Sequence, residues 1–306
     1  MRKSFYSHGK LLITGEYLVL DGTYALAIPT QKGQWLIVEE NDSKDINWKS
    51  IDEDGNCWFK TCFTIENSIV SQRTTTKECS ITNTLLDILN SAKELNPNFL
   101  SQNKGYIITT KLEFHQDWGL GSSSTLINNI SQWAQIDAFK LLEKSFGGSG
   151  YDIACAQSNT PILYKRNDTT PIVTEASFNP LYKDNLFFIY LNQKQNSKDS
   201  IKHYRSLPLK EFDKAEATIQ EITNNILTCR TIEGFEKLID LHEKTIATII
   251  KTPTVKSRLF DDYPRSIKSL GGWGGDFILA TGTNENMNYF KNKGYSTIIP
   301  YSEMIL

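Results

Sequence analysis

Residues 119–125, "GLGSSST", lie between a β-rich run, "GYIITTKLEF", and an apolar pattern of helical period, so the chain must pass from strand to helix within a few residues. A helix start leaves its first N–H groups unpaired and concentrates positive partial charge. Glycines that let an anion approach closely, together with three hydroxyls, then suit a phosphate; an ordinary capped turn has the same composition. From Ser122 onward, Leu126, Ile127, Ile130, Trp133, Ala134 and Ala138 line one helical face, which puts this turn at an N-terminus.

Around this turn the pattern is mixed α and β. The opening, "SFYSHGKLLITGEYLVLDGTYALAIPTQKGQWLIVEE", alternates short β-rich runs with turn residues Gly9, Gly22, Pro29 and Gly33 and predicts hairpins. Residues 82–95 place Leu85, Leu86, Leu89 and Ala92 at helical spacing, with Pro97 beyond the end. Near residue 185 "NLFFIYLN" reads as a buried strand and opens a second unit, followed by helices at 209–229 and 232–250. "GGWGGDFILATG", a helix at 285–292 and "YSTIIPY" complete a small α+β domain. The expected boundary divides 1–184 from 185–306, as 306 residues exceed the usual single-core size.

Composition narrows the partners. A net charge of -2 with 22% charged residues gives no large cationic field for nucleic acid or anionic lipid. No apolar run is long enough to span a bilayer, and His8, Lys10 and Glu16 interrupt the N-terminal stretch, so a cytoplasmic location is expected. Cys57, Cys62, Cys79, Cys155 and Cys229 are scattered without a CxxC pair, which favours packed, reduced thiols over a metal site.

Several familiar motifs fail on their own residues. Gly9-Lys10 is followed by Leu11 and lacks the glycine a Walker A loop needs, and Thr125 does not suit a dinucleotide fingerprint. Tyr151 stands where a nucleophile elbow needs its last glycine, and Ile246 breaks a zincin reading of His242-Glu243.

Three separate stretches agree with one another. "SHGKLLITGEYLVLDG" (7–22), "GLGSSST" (119–125) with "GGSGYDIACA" (147–156), and "GGWGGDFILATG" (271–282) resemble, in order, the signature motifs of the GHMP kinases. Within that family "GEYLVLDGTYALAIPT" and "GGSGYDIA" look most like phosphomevalonate kinases. The resemblance implies an α+β, two-domain fold, with an N-terminal domain like ribosomal protein S5 domain 2, a ferredoxin-like C-terminal domain, and ATP with Mg²⁺ between them. His8 departs from the proline usual before Gly-Lys, and Trp273 interrupts the third motif where a small residue is common.

Phosphoryl transfer asks a protein for positioning, charge neutralisation and a polarised acceptor. Gly119, Leu120, Gly121, Ser122, Ser123 and Ser124 are the expected nucleotide-binding residues, their backbone amides cradling phosphates. By resemblance Ser123 is the Mg²⁺ ligand and Asp152 the catalytic aspartate; Asp152 would equally serve as a helix cap. Lys10 is the second catalytic candidate, a cation for the ionised carboxylate and the developing phosphate charge; an exposed hairpin lysine has the same sequence signature. Glu16 either orients Lys10 or is a solvated surface residue. Glu143 lies nearer to Asp152 than the second metal ligand of mevalonate kinases does, and is not assigned. Lys194, Lys198, Lys202, His203 and Arg205 form a candidate patch for a phosphorylated acceptor or a solvated basic loop, and His115 is expected to be structural.

The expected function is ATP-dependent phosphorylation of a small-molecule acceptor, phosphomevalonate first and mevalonate second, with homoserine or a sugar as further acceptors. A diphosphomevalonate decarboxylase-like enzyme and a non-catalytic ATP-binding protein remain as alternatives, and the oligomeric state is open.

Overall fold

The computed structural model describes the whole chain except residues 67–68, 74–78, 102–103, 168–169, 209–211 and 274. Two compact units are formed by interleaved segments: Met1–Gly9, Lys32–Gln116 and Gly121–Gln157 in the first, Lys10–Gln31, Asp117–Leu120 and Ser158–Leu306 in the second. Strands β1 (Arg2–Leu12) and β2 (Ala25–Asn41) each run from one unit into the other along the chain.

In the first unit β3 (Asp45–Ile51), β4 (Cys57–Glu66), β5 (Ile69–Gln72) and β6 (Gly105–Leu112) join residues 34–41 of β2 in the order β5-β4-β3-β6-β2. Only β3 and β6 are parallel here, Ile46 facing Tyr106, and the crossover that a parallel pair requires contains α1 (Ser80–Leu95). β3 alternates buried Ile46, Trp48 and Ser50 with exposed Asn47 and Lys49, the period of a sheet with one covered face. Ile46 and Trp48 pack with Leu36, Val38, Phe63 and Ile108 against Leu85, Leu89 and Ala92 of α1 and Ile127 and Ile130 of α2 (Ser122–Ala134). Each Val, Leu, Ile or Phe side chain among these contributes roughly 1.5–3 kcal/mol on burial. α3 (Ala138–Ser145) packs against α1 and α2, and α4 (Tyr151–Ala156) against α2.

Helix α2 ends sooner than its apolar spacing predicts. Gln135 takes a left-handed conformation at φ 55°, and Asp137 caps a new helix through hydrogen bonds from the Phe139 and Lys140 amides, so Ala138 belongs to α3.

In the second unit β7 (Ile162–Lys165) pairs with residues 25–27 of β2, and β8 (Ile172–Glu175) pairs with β7. A separate four-stranded antiparallel sheet has the order β10-β11-β9-β12, built from β9 (Leu186–Tyr190), β10 (Ile267–Ser269), β11 (Phe277–Thr281) and β12 (Ile298–Pro300). Helices α5 (Ser197–Ser206), α6 (Phe212–Thr228), α7 (Ile232–Ile250) and α8 (Val255–Leu259) join β9 to β10, α9 (Asn288–Asn292) joins β11 to β12, and α10 (Tyr301–Met304) follows. This is the ferredoxin-like β-α-β-β-α-β arrangement expected for the C-terminal part. The first residues of the helix expected at 209–229 lie outside the described residues, and the start expected at 285 is a turn before α9. Among the described residues no helix is long and apolar enough to cross a membrane, and all five cysteines are free thiols.

Candidate active site

The glycine-serine turn starts a helix as expected, its residues from Gly121 onward belonging to the first unit. Gly121, at φ 88° and ψ 38°, is the N-cap of α2, a left-handed conformation that glycine adopts without strain. With no side chain it brings no capping oxygen to the first turn. Ser122 is half-buried, Ser123 is exposed and Ser124 is buried, so the three hydroxyls stand in three environments.

Behind this turn is a buried polar network that the apolar spacing did not disclose. The Thr125 hydroxyl donates to Gln34 Oε1 at 2.6 Å, and Asn129 Nδ2 donates to the Gln34 carbonyl at 2.9 Å. Asn128 Nδ2 donates to Ser7 Oγ, which donates to Asn129 Oδ1, both at 2.8 Å. Gln157 Nε2, one residue past α4, donates to Asn128 Oδ1 at 2.9 Å and ties that helix to α2. Two adjacent asparagines inside an apolar helical pattern were the available signal, because such residues disfavour a helix interior unless their amides are paired. The network fixes the orientation of the α2 start from β1, β2 and α4 together.

Asp152 lies half-buried in the first turn of α4, whose N-cap is Gly150 at φ 88°. Packing of α4 on α2 brings this helix start and the serine-bearing helix into one structural unit. Glu143 is exposed on α3, and His115 is exposed ahead of the turn.

Lys10, Gly119 and Leu120 belong to the second unit. The Lys10 amide donates to the Leu120 carbonyl at 3.0 Å and its ammonium donates to the Gly119 carbonyl at 3.1 Å. Lys10 is thus held at backbone and side chain on the two residues that lead directly into Gly121. Gly119 has φ +66°, and a Cβ added there would lie 2.4 Å from the carboxylate of Asp276. The bare backbone at Gly119 is already approached by an anion, and it is the protein's own. Asp276 lies within the third glycine-rich motif, where sequence reasoning assigned no site residue.

That motif is held tightly on all described sides. Gly272 meets Gln195 and Ser200, its carbonyl accepts from the Tyr17 hydroxyl at 3.1 Å, and Gly275 packs on the Gln193 carbonyl. Trp273 is buried at φ 60°, its carbonyl accepting from Arg258 at 2.6 Å; the residue that interrupts the motif is a packed anchor. Gly274 lies outside the described residues. The Asp276 carboxyl accepts from the Gln195 amide at 3.0 Å. Burial raises it above the ordinary carboxylate range, against the opposing pull of that amide and of Lys10 and Lys194.

Glu16 is neither solvated nor free to orient Lys10. It is buried with Lys268, whose ammonium donates to Glu16 Oε1 and, at 2.6 Å, to the Ser269 carbonyl. His242 Nε2 accepts from the Gly15 amide at 3.1 Å, and burial holds this imidazole well below its ordinary range and therefore neutral. Of the candidate acceptor patch, Lys194 donates to Asp117 at 3.1 Å, Arg205 pairs with Asp21, and the His203 ring is 2.9 Å from the Ile250 carbonyl; Lys198 and Lys202 are exposed on α5. His203 and Arg205 hold α5 in place.

No family model matches the sequence, and no curated protein matches it. Solved structures do match over nearly the whole chain. The mevalonate kinase of Methanococcus jannaschii is similar at 13% identity and TM-score 0.69, covering 98% of this chain and 97% of that one. The Streptococcus pneumoniae phosphomevalonate kinase, in complex with phosphomevalonate and AMPPNP, is similar at 15% identity and TM-score 0.68, covering 97% and 99%. The Lactococcus lactis galactokinase complexed with galactose is similar at 12% identity and TM-score 0.69, covering 98% and 94%. The order of motifs in the sequence and these likenesses agree: this chain has the two-domain GHMP kinase fold.

Proposed function

We propose that this chain is an ATP-dependent phosphotransferase of the GHMP kinase family, acting in the cytoplasm on a small-molecule acceptor, with phosphomevalonate first and mevalonate second. The observation that carries the reading is the start of α2, a left-handed glycine without a capping side chain followed by three serines, packed with the aspartate-bearing helix in this fold. In functional terms we divide the chain into a nucleotide-binding part, 1–184, and a C-terminal part, 185–306.

The residues fit magnesium-bound ATP. The glycine cap leaves the helix start open to an anion, and the exposed Ser123 hydroxyl is a hard oxygen donor for Mg²⁺. Bound ATP supplies the phosphoryl group, and the metal neutralises part of its charge. The amides of residues 119–124 orient the phosphates, and Lys10 holds positive charge where negative charge develops. Asp152 takes the proton of a hydroxyl acceptor; with a phosphate acceptor, which needs little proton removal, it positions and balances charge.

Coupled ADP release with mevalonate, phosphomevalonate, homoserine and simple sugars tests this reading, with carbon dioxide followed in parallel. Phosphomevalonate is expected to give the fastest ADP release without carbon dioxide. Carbon dioxide release would move the enzyme to the decarboxylases, and ATP binding without ADP release for every acceptor would make it a sensor or scaffold.

A further inference from the structure

Gly119 is gripped from two sides. Its carbonyl accepts from the Lys10 ammonium at 3.1 Å, while its Cα faces the Asp276 carboxylate so closely that an added Cβ would lie 2.4 Å away. Asp276 is itself fixed: its amide donates to the Gln193 carbonyl at 2.6 Å, its carbonyl accepts from Leu191 at 2.8 Å, and its side chain accepts from Gln195 at 3.0 Å. Its backbone is at φ 57°, a left-handed conformation that aspartate tolerates better than most non-glycine residues. The charged groups that act on this carboxyl are Lys10 and Lys194, which favour its ionised form, and Asp117, which opposes it. A partly buried carboxylate beside a lysine in a low-dielectric pocket interacts far more strongly than one in water.

We propose that Asp276 is a positioning residue for phosphoryl transfer, its negative charge holding the Lys10 ammonium on the Gly119 carbonyl and so fixing the two residues that lead into Gly121. This rests on the phosphotransferase reading. A structural wedge would need the shape of Asp276 and its acceptor for the Gln195 amide, both of which asparagine keeps; a positioning role needs the charge.

The test is Asp276→Asn, measured in three ways. Thermal unfolding should stay near that of the wild type. Turnover should fall by about 10²-fold, the scale of a misplaced catalytic group, with a much smaller change in KM for ATP. The Lys10 side-chain N–H signal in a ¹⁵N-lysine spectrum, assigned by its loss in Lys10→Arg, should be present in the wild type and weakened or lost in Asp276→Asn. Wild-type turnover and an undiminished Lys10 signal in Asp276→Asn would overturn the proposal, even if Asp276→Ala unfolds. If no acceptor gives ADP release by the wild-type protein, the phosphotransferase reading fails, while the Lys10 signal still decides whether the charge orders the lysine.

Discussion

Asp152→Asn is expected to slow turnover of a hydroxyl acceptor by about 10²- to 10⁴-fold, the usual contribution of a general base, and that of a phosphate acceptor far less. The difference follows from the acceptors. A hydroxyl must lose its proton as it attacks, whereas a phosphate oxygen is already an anion near neutral pH. Asn retains the size and hydrogen-bonding capacity suited to the first turn of α4, and the network from Gln157 to Asn128 is untouched, so the helix should stay in place. Steady-state rates with mevalonate and phosphomevalonate, each for wild type and variant, check the prediction. Equal and negligible losses with the true substrate would remove Asp152 from catalysis.

Lys268→Met is expected to cost about 3–5 kcal/mol of folding free energy, the scale of removing one partner from a buried ion pair. Lys268 is fully buried, pairs with Glu16 and lies 3.5 Å from Glu243 Oε1, which itself belongs to a carboxyl accepting from Ser269 at 2.6 Å. Burial already pushes Glu16 up to about 7 despite the opposing pull of Lys268, and raises Glu243 as well. Without the ammonium both carboxyls move further above the ordinary value of 4.5. A carboxyl raised in the folded state contributes stability below its unfolded pKa and loses it as pH rises through the folded value. The deficit should therefore be largest at pH 7 and above and shrink as the buffer approaches pH 4.5. His242 is held down first by burial and then by Lys268, so without the ammonium its charging costs the variant less than the wild type as pH falls, which narrows the deficit in the same direction. Urea midpoints across this range measure the effect; a deficit that does not vary with pH would show that the carboxyls are not what Lys268 balances.

Much of the architecture is legible in the sequence because it is written in local periods. The two-residue alternation of β3, the helical spacing of Leu85, Leu89 and Ala92 ahead of Pro97, and the β-rich "NLFFIY" each constrain one element regardless of the rest. The glycine-serine turn is legible for the same reason, since helix starts have local chemistry. What escaped the sequence depends on distant chain. Glu16 and Lys268 are 252 residues apart, and each alone reads as a solvated charge. Gly119 owes its lack of a side chain to Asp276, which no spacing rule connects to it. Asn128 and Asn129 are paired by Ser7, Gln34 and Gln157, partners that the local helical period does not name.

The central claim is that nucleotide phosphates rest on the start of α2. Backbone amide spectra recorded while magnesium and a non-hydrolysable ATP analogue are titrated in test it directly. The largest shifts should fall on Gly121, Ser122, Ser123 and Ser124, with Lys10 and Asp152 following at the same concentrations. Saturating binding that leaves those four amides unmoved would contradict the account.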